Sequence, residues 1–191
     1  PLARLTLTKA NPESNSSGGF VVGQPGSFLL TVKNDGNSTY AAGSSITVGE
    51  FLPTAFSYNS AGVNTGLSAV VCVPSGASLV ATGWTLNCSL TLSSDLLPGQ
   101  SVSFSLNVTP TVPISNGVNT AGVCAGTGCL PPIQPDCANT PTLPGCAQSP
   151  PITLLTLPLV VAKTVNRKSA EIGDTLLYTV TLQNNNGQAV S

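Results

Sequence analysis

The 191-residue chain has 41% hydrophobic but only 7% charged residues, far below the roughly 25% that is average for globular proteins. Six Lys plus Arg against seven Asp plus Glu give a net charge of −1, so the chain has no basic field that would attract nucleic acid or an anionic membrane. It contains no histidine, which removes the usual general base and the Ser-His and Cys-His nucleophile pairs, so we expect no enzyme activity, no cofactor and no metal.

Apolar and polar residues alternate with a period of two in several segments, and this alternation predicts half-buried β-strands. In chain order the apolar sets are Phe28, Leu30 and Val32, then Trp84, Leu86, Cys88, Leu90 and Leu92, then Val102, Phe104, Leu106 and Val108. Turn signals at residues 34–37, 52–53 and 97–99 lie between these segments. Short strands separated by close turns are typical of a sandwich, so the predicted fold class is all-β and antiparallel. The predicted core includes Trp84, Leu86, Leu90, Phe104 and Leu106.

Six cysteines indicate disulfide bonds and a location outside the cytoplasm. Cys72 and Cys88 flank Trp84 on neighbouring predicted strands, and we expect them to be bonded. Their bond would close 88 − 72 = 16 residues, which restrains the unfolded chain by about 3 kcal/mol in the loop-entropy model.

Residues 118–151 interrupt the alternation and contain the other four cysteines together with seven prolines. We predict a loop held by disulfides here. Three pairings are open, and we favour Cys124 with Cys129 and Cys137 with Cys146, because adjacent partners fix a segment with few apolar residues. Zinc is the less favoured alternative, because the spacing lacks the Cys-x-x-Cys pair that most structural zinc sites contain.

The end of the chain repeats the pattern of its beginning, as in tandem-repeat proteins. Gly23, Phe28 and Asn34 match Gly173, Tyr178 and Asn184 at a constant offset, since 173 − 23, 178 − 28 and 184 − 34 all equal 150. Lys9 matches Lys163 at an offset of 154, so the first copy has four more residues between its first two strands. We predict one complete repeat at 1–154, which includes the disulfide-held loop 118–151, and the first two strands of a second repeat at 155–191.

Several short motifs occur in an order that marks a known family. They are Lys163, Gly173-Asp174-Thr175, the alternating strand from Tyr178 to Asn184, Leu52-Pro53, Gly83-Trp84 and Leu97-Pro98-Gly99-Gln100-Ser101. Taken across the two copies, these motifs follow the order of the bacterial surface repeat catalogued as domain of unknown function number eleven. The chain resembles this family over nearly all of residues 5–123. The first copy departs from the family pattern at residues 23–25 and 48–50. The resemblance implies an immunoglobulin-like sandwich used as a stalk or coat domain of large secreted proteins, without catalytic residues.

A covalent crosslink is a further alternative. Some immunoglobulin-like surface domains join a first-strand lysine to a last-strand asparagine beside a buried carboxylate, and the matching set here is Lys9, Glu50 and either Asn116 or Asn119. We expect Lys9 to be solvated, as lysines at strand ends usually are, and the scattered carboxylates to lie at turns and strand edges. Disulfides already restrain the chain, so a crosslink is not the favoured interpretation.

The predicted function is that of a stalk, coat or filament subunit of a repetitive bacterial extracellular or cell-surface protein. Two strands alone are marginal in water, so the apolar face of the second copy predicts head-to-tail self-association with identical or tandem repeats. The residues of this face are Leu176, Tyr178, Val180 and Leu182. No nucleic acid partner and no membrane span in this segment are expected. The alternative is an adhesin whose loop 123–151 binds a protein ligand through Leu130, Ile133 and Leu143.

Overall fold

The computed structural model describes residues 4–11, 20–74, 83–126, 129–132, 134–154 and 160–183. The regular structure of these residues is almost entirely β-strand, with one short helix among the described elements. In chain order the elements are β1 (Leu5–Ala10), β2 (Gly26–Asn34), β3 (Ser45–Phe51), β4 (Phe56–Thr65), β5 (Leu67–Pro74), β6 (Leu86–Leu92), β7 (Ser101–Pro110), β8 (Ile114–Gly117), β9 (Thr120–Ala125), α1 (Gln134–Asn139), β10 (Cys146–Gln148), β11 (Ile152–Leu154), β12 (Val160–Val165) and β13 (Tyr178–Gln183).

Two antiparallel sheets pack face to face and form a sandwich, which confirms the predicted fold class. Sheet A has the strand order β1-β2-β7-β4, and sheet B has the order β10-β9-β3-β6-β5. Two smaller ladders pair β8 with β11 and β12 with β13, and every pairing is antiparallel. Among the described strands β12 and β13 pair only with each other.

The core lies between the two sheets and is formed by the alternating residues that the sequence marks as apolar. The inward side chains of β2 and β7 in sheet A, and those of β3 and β6 in sheet B, are almost completely buried. The alternation is therefore confirmed for β2, β6 and β7. The fully buried members are Phe28, Leu30, Val32, Ile46, Val48, Cys88, Leu90, Phe104, Leu106 and Val108.

Trp84 is the exception to the predicted core. It precedes β6, and its indole lies on the outer face of sheet B over Gly49 and Gly122, which are directly opposite each other on β3 and β9. A Cβ atom at either glycine would lie 2.7 Å from the indole, so the two glycines provide the flat surface on which the ring rests. The prediction that Trp84 shares a face with Leu86 is wrong, because the β6 ladder begins only at Leu86.

The cysteine-rich segment is only partly a loop, so the predicted loop 118–151 is also wrong in its extent. β9 lies inside sheet B beside β3, β10 forms the edge of that sheet, and α1 lies between them in sequence. The alternation of β9 is short, with Ala121 and Val123 buried and Ala125 only partly buried against the core, which is why the sequence did not reveal it. The segment covers Trp84, whose Nε1 donates a hydrogen bond to the carbonyl oxygen of Pro132 at 3.1 Å.

Three disulfide bonds join the six cysteines: Cys72–Cys88, Cys124–Cys129 and Cys137–Cys146. These are the pairs that the sequence favours, and the first of them joins directly opposite residues of β5 and β6. All six sulfur atoms are in disulfides, so none is a thiolate ligand for zinc. Three disulfides are consistent with an oxidising, extracellular environment.

No helix in the described ranges has the length and apolar character needed to cross a membrane. Within the same ranges, no group of three or more Asp, Glu, Cys or His side chains is arranged to hold a metal ion.

Candidate functional site

The inward face of β1 ends in a lysine. Leu5, Leu7 and Lys9 alternate on this face, and the Lys9 side chain has an exposed fraction of 0%. Its strand register places it opposite Leu30 of β2, a residue of the central core. The expectation that Lys9 is solvated is therefore wrong, because the regular pleat of β1 turns every second side chain inward, whatever its charge.

A carboxylate ends the inward face of β3 in the same way. Glu50 follows Ile46 and Val48 on that face, and its side chain is 1% exposed. The expectation that the carboxylates lie at turns and strand edges is wrong for Glu50. Isolated charges are rarely buried to this degree, because their removal from water costs many kcal/mol unless they are paired.

Lys9 and Glu50 form an ion pair between the two sheets. The Nζ atom of Lys9 donates a hydrogen bond to Oε1 of Glu50, and it lies 4.9 Å from the centroid of the Phe28 ring. Burial lowers the pKa of Lys9 from 10.5 to about 8, although the negative charge of Glu50 opposes this shift. Burial also raises the pKa of Glu50, against the opposing effects of Lys9 and Asn119. Both shifts favour the neutral amine and the neutral carboxyl group.

Asn119 completes a cluster of three buried polar side chains. It is fully buried immediately before β9, in phase with the buried inward residues Ala121 and Val123. The antiparallel register pairs Glu50 with Ala121, so Asn119 lies at the end of β3 where Glu50 is located. The Asn119 carboxamide is close enough to Glu50 to lower the pKa of that carboxyl group.

The polar atoms of this cluster are incompletely hydrogen-bonded. Within the described ranges, neither Oδ1 nor Nδ2 of Asn119 has a hydrogen bond of ordinary geometry, and the same is true of Oε2 of Glu50. Buried polar side-chain atoms without a partner are uncommon in native proteins, because each costs about 1 to 3 kcal/mol. The cluster therefore contains polar groups that close packing alone does not explain.

The backbone of Asn119 is fixed on both sides by Ser149. The Asn119 N–H donates to Oγ of Ser149 at 3.0 Å, and the Ser149 N–H donates to the carbonyl oxygen of Asn119 at 2.8 Å. Asn116, the other candidate asparagine, lies in β8, which pairs with β11 outside both main sheets. Of the two asparagines, the structure thus brings Asn119 to the Lys9–Glu50 pair.

A signal for this cluster is present in the sequence. Lys9 and Glu50 each extend an inward apolar alternation by one step at the end of a strand, and Asn119 begins one. A polar residue in phase with the apolar residues of a strand is predicted to point into the core. Applied to Lys9, this rule places its side chain in the core, as the structure does.

The β12–β13 hairpin reproduces the pairing of β1 with β2. Lys9 is opposite Leu30 in the first pair, and Lys163 is opposite Val180 in the second. These residues are related by the offsets 163 − 9 = 154 and 180 − 30 = 150. The Nζ atom of Lys163 lies 4.3 Å from the Tyr178 ring centroid, just as that of Lys9 lies 4.9 Å from the Phe28 ring.

Burial is where the two hairpins differ. Phe28, Leu30 and Val32 of β2 are 0% exposed, whereas the residues at the matching positions of the β12–β13 hairpin are more than half exposed. The exposed fractions are 52% for Tyr178, 57% for Val180 and 67% for Leu182, and two further residues of this hairpin region have 62% for Val161 and 37% for Leu176. The predicted assembly face therefore has the pattern of a core face but is open to solvent in the single chain.

The predicted adhesin surface is less distinctive. Leu130 and Leu143 are exposed, and Ile133 lies outside the described residues. Single exposed leucines are ordinary at protein surfaces. They do not define a binding site.

Comparisons with known proteins do not assign the chain to a family. No family model and no curated protein match it, so the resemblance to domain of unknown function number eleven has no support from a family model.

Among solved structures, a cohesin module from a Clostridium perfringens family 33 glycoside hydrolase is 16% identical, with a TM-score of 0.48, 80% of this chain covered and 98% of that one. A non-cellulosomal cohesin from Archaeoglobus fulgidus is 9% identical, with a TM-score of 0.39 and coverages of 81% and 93%. A scaffoldin cohesin from Acetivibrio cellulolyticus, solved in complex with a dockerin, is 10% identical, with a TM-score of 0.41 and coverages of 79% and 97%. Since all three TM-scores are below 0.5, the fold assignment rests on the strand order and register of this chain.

Proposed function

We propose that the chain is a structural module of a repetitive extracellular or cell-surface protein, in which similar sandwiches follow one another head to tail. In this proposal residues 1–154 form one immunoglobulin-like repeat, and residues 155–191 begin the next. The observation that carries the proposal is the β12–β13 hairpin, which has the register of β1 and β2 but an exposed core face.

The exposed face needs a partner for energetic reasons. An isolated two-stranded hairpin is marginally stable at best in water. Fully burying a Val, Leu or aromatic side chain contributes about 1.5 to 3 kcal/mol, and Tyr178, Val180 and Leu182 supply three such side chains from β13 alone. Covering this face with the rest of a second sandwich is therefore strongly favourable.

The proposed partner is another repeat. The exposed face of β12 and β13 has the same pattern as the inward face of β1 and β2, and the other strands of this chain cover that inward face. In the first copy β7 pairs with β2, and sheet B covers the inward face of both strands. The matching positions of β13 require equivalent strands, which a tandem repeat or an adjacent copy supplies. The low charge of the chain adds little repulsion between copies.

Sedimentation equilibrium of the 191-residue chain tests this proposal, since the only partner in such a solution is another copy. We expect association that increases with concentration and is weakened by Val180→Asp, which places a charge on the face. Val112→Asp is the matched control, because Val112 is similarly exposed at 51% but lies between β7 and β8. A monomer at all concentrations, or equal association of both variants, would rule out completion of this face by an adjacent copy.

The same features support a non-enzymatic role. The chain has no histidine, and the three buried polar residues at the end of the sandwich are closed off from any external substrate. The adhesin alternative has no comparable observation in its favour among the described residues. A structural role is therefore the function that the geometry supports best.

A further inference from the structure

We propose that Lys9 and Asn119 are joined by an intramolecular isopeptide bond, and that Glu50 is the acid–base catalyst of its formation. The bond would connect the first strand of sheet A directly to the central part of sheet B. It is a modification within the chain and does not depend on how the second repeat is completed.

The geometry brings the required groups to one place. Lys9 comes from β1, Glu50 from β3, and Asn119 immediately precedes β9, and all three side chains are buried at the same end of the sandwich. The amine contacts the Glu50 carboxylate, and the carboxamide lies beside the same carboxylate. The hydrogen bonds with Ser149 fix the backbone of Asn119, and a fixed backbone limits the positions that its carboxamide can take relative to the amine.

The reaction needs no further reactant. Glu50 first takes a proton from the Lys9 ammonium, and the neutral amine attacks Cγ of Asn119 to form a tetrahedral intermediate. A second proton passes from the attacking nitrogen through the Glu50 carboxyl group to Nδ2, the Cγ–Nδ2 bond breaks, and ammonia leaves. The products are a secondary amide, ammonia and a protonated Glu50, so the atoms and charges balance.

The surroundings favour both the start and the end of this reaction. Burial already shifts Lys9 towards the neutral amine and Glu50 towards the neutral acid, and a deprotonated amine is the form that acts as a nucleophile. The product replaces a buried ion pair with neutral groups, which are cheaper to keep away from water. It also removes the Nδ2 group that has no ordinary hydrogen bond within the described ranges.

The intact mass of the full 191-residue chain, measured after reduction and denaturation, tests the proposal. We expect a mass lower than that of the sequence by one ammonia molecule, and a digest in which the Lys9 peptide is linked to the Asn119 peptide. The full sequence mass would show that the bond does not form. This result does not depend on the folding of any variant.

Variants assign the roles of the three residues and exclude another source of ammonia loss. Lys9→Met and Asn119→Ala should each restore the full mass, and Glu50→Gln should do so although both reacting residues are present. Asn116→Ala is the control and should keep the loss, since Asn116 precedes Gly117 and could lose ammonia by ring closure of its own backbone. Ammonia loss that persists in Lys9→Met, or that disappears in Asn116→Ala, would overturn the proposal, and loss that persists in Glu50→Gln would overturn the role of Glu50.

Discussion

Lys9 and Glu50 are an unusual pair of residues for the interior of a sandwich. Each charge costs several kcal/mol to remove from water, and well-packed apolar residues of similar volume often replace a buried ion pair without loss of stability. The pair is therefore poorly explained as a device for stability alone. A chemical role for the pair explains why two ionisable residues lie in an apolar core.

The pH dependence of stability provides a prediction at this scale. Asn119→Ala cannot form the crosslink, so its Lys9 keeps a titrating amine whose pKa is about 8 when folded and 10.5 when unfolded. Between these two values the unfolded state binds more protons, so the free energy of unfolding should rise with pH. Urea unfolding across this window measures the rise.

The reference for that measurement is the double variant Lys9→Met/Asn119→Ala, which has no amine at this position. The wild-type protein should also lack the rise of the free energy of unfolding that comes from Lys9, because its Lys9 nitrogen is an amide in our proposal. If the free energy of unfolding of Asn119→Ala does not rise with pH relative to that of the double variant, the lowered pKa of Lys9 is contradicted.

At the scale of strands, regular alternation is the feature that sequence predicts best. β2 and β7 follow it without interruption, and their inward residues form the core as expected. Alternation places Trp84 on the wrong face of the sheet, because its position depends on Gly49 and Gly122 of two distant strands. Alternation also does not reveal β9. Contacts between distant residues leave no local pattern, so the outer covering of sheet B was not predictable from the sequence.

Leu106 provides a test of the face assignment of β7. It is 0% exposed in the core, so Leu106→Ala should lower the free energy of unfolding by about 2 to 5 kcal/mol. Denaturant unfolding of the variant measures this change. Val71→Ala on β5 is the control and should change stability by less than about 0.5 kcal/mol, because Val71 is 59% exposed. A change of less than about 0.5 kcal/mol in Leu106→Ala would mean that the face assignment of β7 is reversed.

The close contact between Trp84 and the glycines beneath it can be tested by substitution. Gly122→Ala adds a Cβ atom 2.7 Å from the indole, and overpacking of this kind costs about 1 to 3 kcal/mol. Gly62→Ala should have little effect, since the nearest atom outside its chain neighbours would be 4.0 Å from the new Cβ atom. Thermal unfolding compares the two variants. A stability loss in Gly122→Ala that persists when Trp84 is also replaced by Ala would contradict the proposed contact.

At the scale of the whole molecule, the isopeptide bond closes a very long loop. It spans 119 − 9 = 110 residues, and the loop-entropy treatment used for disulfides gives about 4 to 5 kcal/mol for a loop of this length. Asn119→Ala should therefore lower the free energy of unfolding by at least this order. Lys9→Met removes the same bond. The free energy of unfolding of the double variant Lys9→Met/Asn119→Ala should therefore be little lower than that of either single variant. Additive losses in denaturant unfolding would show that no shared bond exists.

The molecule as a whole joins a closed sandwich to a hairpin that copies its first two strands. The sequence predicts that this hairpin begins a second repeat, because the offsets of 150 and 154 are visible in the residues themselves. It did not predict that Lys9 and Lys163 would make the same ring contact, which depends on side-chain positions across a strand pair. The shared register and contact support the proposal that residues 155–191 begin a second repeat.

Amide hydrogen exchange of the β12–β13 hairpin, measured at increasing concentrations of the 191-residue chain, tests this central proposal most directly. The proposal predicts that residues 160–183 exchange quickly in dilute solution and become protected as a second copy covers Tyr178, Val180 and Leu182. The strands of the first sandwich serve as an internal reference and should exchange equally slowly throughout. Exchange of the hairpin that is the same at every concentration would contradict head-to-tail completion by another copy.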